Sequence, residues 1–452
     1  MLERLRFTNF KVWKSVDMTL GRVTALFGTN SSGKTSLIQF LLLLKQTKDA
    51  TDRSIALELN GNLVQLGTIT DAIHRHDEDR TIHFRCDFAR LGELKLPDPE
   101  SKRRTSMATA RRFAIEGEVI VRHRAPHARL LRYYLGPLIF SLGSRNGDEA
   151  QFELKEEGLD FKLKRTPGRP WALPGPIKSY AFPDQARTYY QNTGFLSDLE
   201  RAYEESIDRI YYLGPLRQYP YRDYLWARSR PSDVGQRGEK AIDAILAATD
   251  ADWTGNLKPK GHRKSFQEII AHWLKEMGLI HSFSVTEIAP GSNRWQARLK
   301  TRPDAPEVLL TDVGFGVSQV LPVITLLYYV PEGSTVILEQ PEIHLHPMAQ
   351  AHLADLILNV ARHRKVQVIL ESHSEHLLLR LQRRIAEDET GDTSRDVQLY
   401  FCDLVGEQSS LVSLQLDLLG QINNWPENFM GDAFGETVAA EKARLKRMRK
   451  SA

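Results

Sequence analysis

The residues most able to do chemistry include a glycine-rich segment near the start of the printed sequence. Residues 28–35 read G-T-N-S-S-G-K-T and fit the spacing G-x-x-x-x-G-K-[ST]. Gly28 and Gly33 would let the backbone curl so that successive N–H groups face phosphate oxygens. The pattern also places the Lys34 ammonium on the β- and γ-phosphates and the Thr35 hydroxyl on Mg²⁺. The other residues predicted to bind nucleotide in this loop are Asn30, Ser31, Ser32 and Ser36.

A second segment supplies an acid for the same metal ion. Residues 335–342 read T-V-I-L-E-Q-P-E, an apolar strand that ends at Glu339. A carboxylate at the carboxyl end of such a strand lies where α/β sheets hold their ligands, and there it can bind Mg²⁺. We therefore predict one nucleotide site, with Thr35 and Glu339 at the metal, whose two halves are separated by a large middle region.

Two glycines and a serine form a third candidate in residues 311–319, T-D-V-G-F-G-V-S-Q. Gly314, Gly316 and Ser318 would open a helix, with Ser318 as its N-cap. Exposed N–H groups at a helix N-terminus attract phosphate, which makes these residues candidates for nucleotide binding. The same pattern also fits an ordinary capped core helix that follows a glycine turn.

A histidine follows the next apolar strand. His373 lies between Ser372 and Ser374, one predicted helix and one predicted strand after Glu339, as in a β-α-β unit. A histidine in this place can contact a γ-phosphate or orient water, although a histidine at a strand end is often only a hydrogen-bonded residue.

The elements around these residues indicate an α/β fold. An apolar run at 22–27 leads into the glycine-rich loop, and strong helix formers fill 35–45, which is the strand–loop–helix context of a phosphate loop. Alternation in residues 5–20 predicts an edge hairpin, and residues 51–95 resemble β-structure. Strands at 335–338 and 366–370 alternate with helices. The predicted helices are 236–248, 265–278, 318–329 with Pro322 in its first turn, 348–362 and 375–387.

The order of these motifs resembles that of ABC-type ATPases. The closest resemblance is to the stand-alone prokaryotic "AAA" ATPases related to the structural-maintenance-of-chromosomes (SMC) and overcoming-lysogenization-defect (OLD) groups. The segments that carry it are N-F-K at 9–11, V-G-F-G-V-S-Q-V-L-P at 313–322, L-E-Q-P-E-I-H-L-H-P at 338–347, E-S-H-S-E-H-L-L-L at 371–379 and W-P-E-N-F at 425–429. The last resembles the end motif of a subgroup with a small uncharacterised C-terminal domain.

The resemblance implies a P-loop NTPase, with an ABC-type ATPase head, a mixed α/β insertion and a small C-terminal extension. We expect an ATPase N-lobe at 1–90, a basic accessory insertion at 91–205, an ATPase C-lobe at 206–400 and the extension at 401–452.

The resemblance also implies roles for single residues and for the cofactors. Residues 28–35 would be the Walker A motif, Glu339 the Walker B acid and His373 the switch histidine, while Gly314, Gly316 and Ser318 would be the signature that completes the site of a second protomer. Residues 345–347 fall at the D-loop. ATP and Mg²⁺ are the implied cofactors, held between two copies of the chain. Gln65 is a Q-loop candidate or an ordinary surface glutamine.

One position departs from the family pattern. The residue after the Walker B acid is usually a glutamate that polarises water, and here it is Gln340. An amide can position water but cannot take its proton, so we expect slow hydrolysis or a substitute base at Glu342. Glu342, His344 and His346 also allow a metal trio, without a second cluster to support it.

Composition limits the cellular setting. Hydrophobic residues at 41% and charged residues at 26% are ordinary globular values, and the net charge of +4 does not by itself predict a nucleic-acid partner. Two cysteines, Cys86 and Cys402, are too few for a disulfide framework, so we expect a reducing, cytoplasmic environment. Residues 1–10 lack the apolar core of a signal peptide, and no apolar run approaches the roughly 18 residues of a membrane span.

Clusters of basic residues could bind an acidic partner, although the default interpretation is that they are solvated surface residues. They comprise Lys102, Arg103, Arg104, Arg111, Arg112, Arg122, His123, Arg124, Arg129, Arg132, Lys258, Lys260, Arg263, Lys264 and the tail residues Lys442, Arg444, Lys446, Arg447, Arg449 and Lys450. DNA or an acidic phage protein would suit the part of this charge that lies in the insertion.

These observations favour an ATPase that forms an ATP-dependent homodimer or higher oligomer and gates a separate effector protein, such as a nuclease. The resemblance places such ATPases in bacterial anti-phage defence. Two alternatives stay open: a DNA-repair or chromosome-handling ATPase, and a nucleotide-gated scaffold that does not hydrolyse ATP.

Overall fold

A computed structural model describes residues 1–99, 101, 105–145, 148–158, 161–169, 172–258, 261–406, 408–426 and 442–444. Several residues singled out above lie outside these ranges: Lys102, Arg103, Arg104, Lys260, residues 427–429 of the W-P-E-N-F segment, and the tail cations Lys446, Arg447, Arg449 and Lys450.

The strands of the described chain are β1 Leu2–Phe10, β2 Trp13–Thr19, β3 Val23–Gly28, β4 Ile82–Pro97, β5 Ser106–Arg122, β6 Ala125–Leu135, β7 Leu138–Arg145, β8 Asp148–Glu157, β9 Ile210–Leu213, β10 Tyr224–Leu225, β11 Thr254–Gly255, β12 Lys264–Ser265, β13 Ser282–Glu287, β14 Arg294–Lys300, β15 Val308–Leu309, β16 Thr335–Glu339, β17 Gln367–Glu371, β18 Val397–Val405 and β19 Gln408–Leu414. The α-helices are α1 Lys34–Asp49, α2 Ile69–Ala72, α3 Asp184–Tyr189, α4 Leu196–Asp208, α5 Ala241–Asp250, α6 Phe266–Glu276, α7 Phe315–Tyr329, α8 Pro347–His363, α9 Glu375–Ala386 and α10 Asp392–Asp396.

A six-stranded sheet with the order β19-β18-β3-β17-β16-β9 positions the candidate site. Five of its strands run parallel, and β19 pairs antiparallel with β18 at one edge. Every residue of β16 and β17 is buried, as expected for parallel strands covered on both faces. The strand ends that carry the sequence motifs therefore lie side by side at one edge of this sheet.

Alternate residues of these strands pack into two hydrophobic cores. Leu26, Ile337 and Ile369 join a core that contains α1 and the first strands of the chain. Their neighbours Val336 and Val368 join a second core, which contains α5 to α9. The period of two along the strands thus puts the P-loop helix on one face of the sheet and the helices of the later motifs on the other.

A second, antiparallel sheet has the order β2-β1-β4-β5-β6-β7-β8. The predicted N-terminal edge hairpin is confirmed as β1 and β2, and Phe7 of β1 stacks on Phe40 of α1 with ring centroids 4.4 Å apart. Strand β4 runs through the expected division at residues 90 and 91, so the N-lobe and insertion segments share this sheet. The four-part division of the chain stays a prediction.

The structure corrects two elements expected from sequence. Within residues 51–81, predicted as β-structure, the structure places the short helix α2, a 3₁₀ turn at 74–76 and two isolated β-bridges, Asn60–Gln65 and Phe10–Ile73. Helix α7 begins at Phe315 with Gly314 as its N-cap. Ser318 is therefore inside the helix and not its N-cap, and Pro322 lies in the helix interior and not in its first turn. Gly314, in an extended conformation, takes the N-cap position four residues before the predicted N-cap Ser318.

None of the described helices has the length and apolar character that crossing a membrane would require.

The close approach of β3 and β18 at Gly28 generates a stability prediction. An ideal Cβ at Gly28 would lie 2.0 Å from the carbonyl oxygen of Cys402, and φ there is +144°. We expect Gly28→Ala to lower the free energy of unfolding by about 2 kcal/mol or more, because the backbones of two paired strands must separate. Thermal and urea unfolding would measure the loss.

The matched control is Gly136→Ala. Gly136 also has a positive φ, +59°, but nothing lies within 4 Å of the added Cβ. Gly136→Ala should lower the free energy of unfolding by only about 1 kcal/mol, the cost of a left-handed backbone conformation at alanine. Equal losses at the two positions would contradict the steric argument.

Candidate nucleotide-binding site

The glycine-rich loop joins β3 to α1, as the sequence predicts. Gly33 is the N-cap of α1 with φ +92°, a left-handed conformation that glycine adopts without steric cost. The indole Nε1 of Trp13 donates a hydrogen bond of 3.0 Å to the Gly33 carbonyl oxygen. The N-terminal hairpin therefore holds the end of the loop, where the first N–H groups of α1 are available to an anion.

Lys34 closes this loop from within. Its side chain is only 3% exposed, and Nζ donates to the carbonyl oxygens of Gly28 at 3.1 Å and Thr29 at 2.7 Å. Burial lowers the pKa of the Lys34 ammonium. The Lys34 ammonium is thus held against the loop that would bind the phosphates, where it could also contact them.

Two acids meet at the ends of neighbouring strands. Glu339 ends β16 and Glu371 ends β17, and the two residues are partners in the parallel register. Both are buried, and the Tyr212 hydroxyl donates a hydrogen bond of 3.0 Å to Glu339 Oε1. Burial, together with the neighbouring Glu371 carboxylate, raises the pKa of Glu339 to about 7.

Glu371, which the sequence analysis did not single out, contacts the P-loop directly. The Thr35 hydroxyl donates a hydrogen bond of 3.0 Å to Glu371 Oε2, not to the predicted acid Glu339. This follows from the strand order, because β17 lies between β3 and β16. A sequence signal was present, since residues 336–339 and 368–371 both read V-I-L-E.

The other predicted catalytic residues lie around these acids. Glu342 is 6% exposed, and its Oε1 accepts a hydrogen bond of 2.7 Å from the backbone N–H of His373. Its Oε2 is buried without a partner, and burial raises the pKa of this carboxyl. Gln340 has φ +44° and donates its backbone N–H to the Glu371 carbonyl oxygen at 2.9 Å. The His373 side chain is exposed, and partial desolvation, with the Lys34 charge nearby, lowers its pKa.

A buried arginine contacts Glu339, the predicted Walker B acid, and sequence reasoning missed it. Arg217 follows β9, is 6% exposed, and donates from Nη2 to the Glu339 carbonyl oxygen at 3.4 Å. Its Nε and Nη1 atoms are buried without hydrogen-bond partners. Burial lowers the pKa of the guanidinium to about 10. The only local signal was a strand followed by L-G-P-L-R at 213–217.

The predicted signature residues lie apart from the P-loop. No hydrogen bond among the described residues links 314–318 to the P-loop, and the Ser318 hydroxyl donates to the Phe315 carbonyl oxygen of its own helix at 2.9 Å. The Phe315 ring packs against Tyr219 and His344, with ring centroids 5.0 and 5.7 Å apart. The signature turn therefore packs on the predicted D-loop region and leaves its helix N-terminus facing outward.

Two further candidates are not brought into the site as the sequence suggested. Within the described ranges, no three His, Cys, Asp or Glu side chains form a group able to hold a metal ion, so Glu342, His344 and His346 are not assembled as a trio. Gln65 is exposed, and its role as a Q-loop residue stays a prediction.

Comparisons with known proteins support the ATPase interpretation. Residues 197–378 match a family model described as an AAA ATPase domain, and residues 393–439 match one described as a protein of unknown function, DUF3696. The chain is 23% identical over 383 residues to the OLD nuclease of Thermus scotoductus (strain ATCC 700910 / SA-01), a match that covers 83% of this chain and 59% of that protein. The chain thus spans less than two thirds of that relative's length.

Solved structures of SMC heads are also similar. The SMC head domain from Thermotoga maritima shares 9% identity, with 92% of this chain and 99% of that chain covered and a TM-score of 0.42. An SMC head with an extended coiled coil, bound to the C-terminal domain of ScpA and derived from Pyrococcus furiosus, shares 11% identity, with 92% and 96% covered and a TM-score of 0.45.

The predicted relationship and fold class are confirmed. The family match over residues 197–378, the similarity to the OLD nuclease and the strand–loop–helix geometry agree with an OLD-like, ABC-type ATPase that has an α/β P-loop fold.

The raised pKa of Glu339 predicts how stability depends on pH. A glutamate in an unfolded chain has a pKa of about 4.3. Between this pH and about pH 7, Glu339 of the folded protein keeps a proton that the unfolded chain has released. Stability therefore falls as pH rises through that window. We expect the melting temperature of the metal-free protein to fall between about pH 5 and about pH 7.5.

Glu339→Gln should reduce this slope when melting is followed by circular dichroism in EDTA. Burial also raises the pKa values of Glu342 and Glu371, which keep part of the dependence. Glu375→Gln removes an exposed acid from the start of α9 and is the matched control. An unchanged slope in Glu339→Gln would contradict the assignment.

Proposed function

We propose that this chain binds Mg-ATP at a composite site between two protomers and uses binding and slow hydrolysis to gate a separate effector protein. The main support is that, within one chain, the P-loop and the predicted signature turn lie apart. Lys34 and Glu371 contact the P-loop, and Glu339 lies beside Glu371 on the next strand. The predicted signature turn at 314–318 points outward and, among the described residues, makes no hydrogen bond to that loop. A second copy of the chain would supply the missing signature.

The surface around the signature supports a second copy as the partner. The side chains of Leu216, Tyr219 and Phe315 are 73%, 66% and 45% exposed, and Met348 at the start of α8 is exposed as well. Tyr219 and Phe315 contact each other, so part of this apolar surface is continuous. Apolar patches of this kind mark interaction sites, and a two-fold symmetric pair would bury the same patch on both copies.

Slow hydrolysis follows from the chemistry at Gln340. Its amide can hold a water molecule but cannot accept the proton. Glu342 is the substitute base we propose, because Oε2 lacks a partner and burial shifts the carboxyl pKa upward. A long-lived ATP-bound dimer is the expected consequence. Gln340 equally favours the second candidate function, a nucleotide-gated scaffold without hydrolysis.

The effector and the defence role rest on the resemblance to the OLD group. The similar Thermus protein is named a nuclease, and this chain matches 59% of its length. We propose that a separate cytoplasmic chain supplies the effector activity during anti-phage defence. Turnover stimulated by DNA would instead favour the DNA-repair or chromosome-handling alternative.

Contact of the insertion with DNA or an acidic phage protein stays a proposal. Much of its described positive charge is neutralised within the sheet, because Arg112, Arg129 and Arg132 pair with Glu3, Glu118 and Glu116.

Mixing two inactive variants tests the composite site. Lys34→Ala removes the phosphate-binding cation. Gly314→Asp places a negative charge at the outward helix N-terminus, where no atom lies within 4 Å of the added Cβ and aspartate is a favourable N-cap. In a mixed dimer, the intact P-loop of one chain faces the intact signature of the other. An equal mixture should recover about one quarter of the wild-type phosphate release, since half the dimers are mixed and each has one working site.

Gly314→Ser, a neutral N-cap, is the matched control and should retain activity. Wild-type activity per protomer should also rise with protein concentration. Full activity of Gly314→Asp alone, or no recovery on mixing, would sink the two-protomer site. No phosphate release by the wild type above that of Lys34→Ala, with ATP binding intact, would leave the scaffold function.

Restoring the usual base tests the slow step. Gln340→Glu should raise single-turnover hydrolysis by at least about 10-fold, because a positioned general base typically contributes a larger factor than this. Gln340→Asn, which keeps the amide, should stay slow. If Gln340→Glu hydrolyses ATP no faster than the wild type while Glu342→Gln abolishes hydrolysis, Glu342 is the base.

A further inference from the structure

The two strands at the centre of the site carry the same four residues. V-I-L-E occurs at 336–339 in β16 and at 368–371 in β17. The strands are parallel and adjacent, and the register pairs each residue with its counterpart, ending with Glu339 opposite Glu371. Two carboxylates are thus presented side by side at the same edge of the sheet.

The two acids have different neighbours. Glu371 accepts a hydrogen bond from the Thr35 hydroxyl, the group expected to bind Mg²⁺. Glu339 accepts one from the Tyr212 hydroxyl on the opposite flank of the sheet. Of the two carboxylates, Glu371 is therefore the one already in contact with the P-loop.

A second observation indicates that a polar ligand belongs in this cluster. Arg217, whose charge acts on Glu339 and Glu342, leaves two buried guanidinium nitrogens without partners, and Glu342 leaves one buried carboxylate oxygen without a partner. Buried polar atoms normally have partners, and like charges at the ends of adjacent strands repel. A divalent cation with its water shell, next to a phosphate, would relieve both costs.

Mg²⁺ suits this arrangement better than a metal held by protein alone. It is typically bound through one or two carboxylates, with phosphate and water as its other ligands. This agrees with the finding that no three acidic or histidine side chains of the described ranges form a self-sufficient metal group.

We propose that Glu371 positions Mg²⁺ against Thr35 and that Glu339 shares this task from the next strand. The inference rests on the proposed Mg-ATP site and deepens it. It assigns the main metal-binding carboxylate to Glu371 on β17, the strand next to the P-loop strand β3, rather than to Glu339 alone. The Tyr212 hydroxyl restrains Glu339, whereas the Glu371 carboxylate is held by the Thr35 hydroxyl, the group that would bind Mg²⁺.

The test separates metal binding from nucleotide binding. A fluorescent ATP analogue is titrated into the full chain in EDTA and then at increasing Mg²⁺, and the Mg²⁺ concentration at half-maximal effect is measured. Glu371→Gln should raise this concentration by about 10- to 100-fold, the range found when a group that orients metal ligands is removed. Its affinity for the nucleotide in EDTA should be equal or higher, because a negative charge near the phosphates is gone.

Matched variants control for charge and folding. Glu375→Gln removes an exposed acid four residues further on and should leave the Mg²⁺ dependence unchanged. Glu371→Asp keeps the charge but shortens its reach, so it should give an intermediate value, and it serves as the test if Glu371→Gln does not fold. Glu339→Gln should raise the midpoint as well if the two acids share the ion.

A double-mutant cycle of Thr35→Val and Glu371→Gln tests whether Glu371 acts on the same ion as the Thr35 hydroxyl. If Glu371 acts through the ion that Thr35 binds, the double variant Thr35→Val/Glu371→Gln should require little more Mg²⁺ than the more impaired single variant. Fully multiplicative effects would indicate that Glu371 acts independently of that ion and would overturn the proposal.

A wild-type Mg²⁺ midpoint in Glu371→Gln and Glu371→Asp, together with a raised midpoint in Glu339→Gln, would also overturn it while leaving the Mg-ATP site intact. Failure of the proposed function has a different signature. In that case the wild type itself would bind no nucleotide and would not differ from Lys34→Ala.

Discussion

Parallel pairing of β3, β17 and β16 is the constraint on which the site depends. Because the three strands point the same way, the P-loop, Glu371 and Glu339 emerge at one edge of the sheet. The strands are buried on both faces, so their apolar side chains fix the register of the acids that follow. A slip of one residue in β17 would turn Glu371 away from Thr35 and move its neighbours into the wrong cores.

The same burial that fixes the acids makes them costly. Glu339 and Glu371 lie next to each other, and burial raises the pKa values of both carboxyls. The positive charge of Arg217 acts on Glu339 and that of Lys34 on Glu371. The protein offsets part of this cost with hydroxyl groups, since Tyr212 and Thr35 each donate to one of the acids. Carboxylates that are desolvated and only partly compensated favour a cation, and perturbed pKa values of this kind cluster at functional sites.

The loop after β9 contacts both the candidate nucleotide site and the predicted signature turn. Arg217 is buried against Glu339 at the end of β16, and Tyr219, two residues on, packs on Phe315 at the start of α7. In the proposed dimer, this contact would connect the nucleotide bound by one chain with the surface that meets the second copy.

Local signals determined much of this protein. The glycine spacing of 28–35, the apolar strands and the helix formers around them fix a P-loop in an α/β fold, because these patterns act over a few residues and tolerate few other conformations. A local signal gave a wrong prediction where a neighbouring residue could fill the same role. Ser318 is a good N-cap residue, but Gly314 is the N-cap of α7. Residues 51–81 alternate as strands do, yet most of them pair with no partner strand.

Only the tertiary structure decided which acid meets Thr35. Strand order is a matter of long-range packing, and nothing in the two V-I-L-E segments says which lies next to β3. Arg217, more than one hundred residues from Glu339, reaches it only because β9 pairs with β16, and sequence spacing carries no record of that pairing. The sequence by itself determined that a phosphate loop and an acidic strand end exist, and the packing of the sheet determined how they are joined.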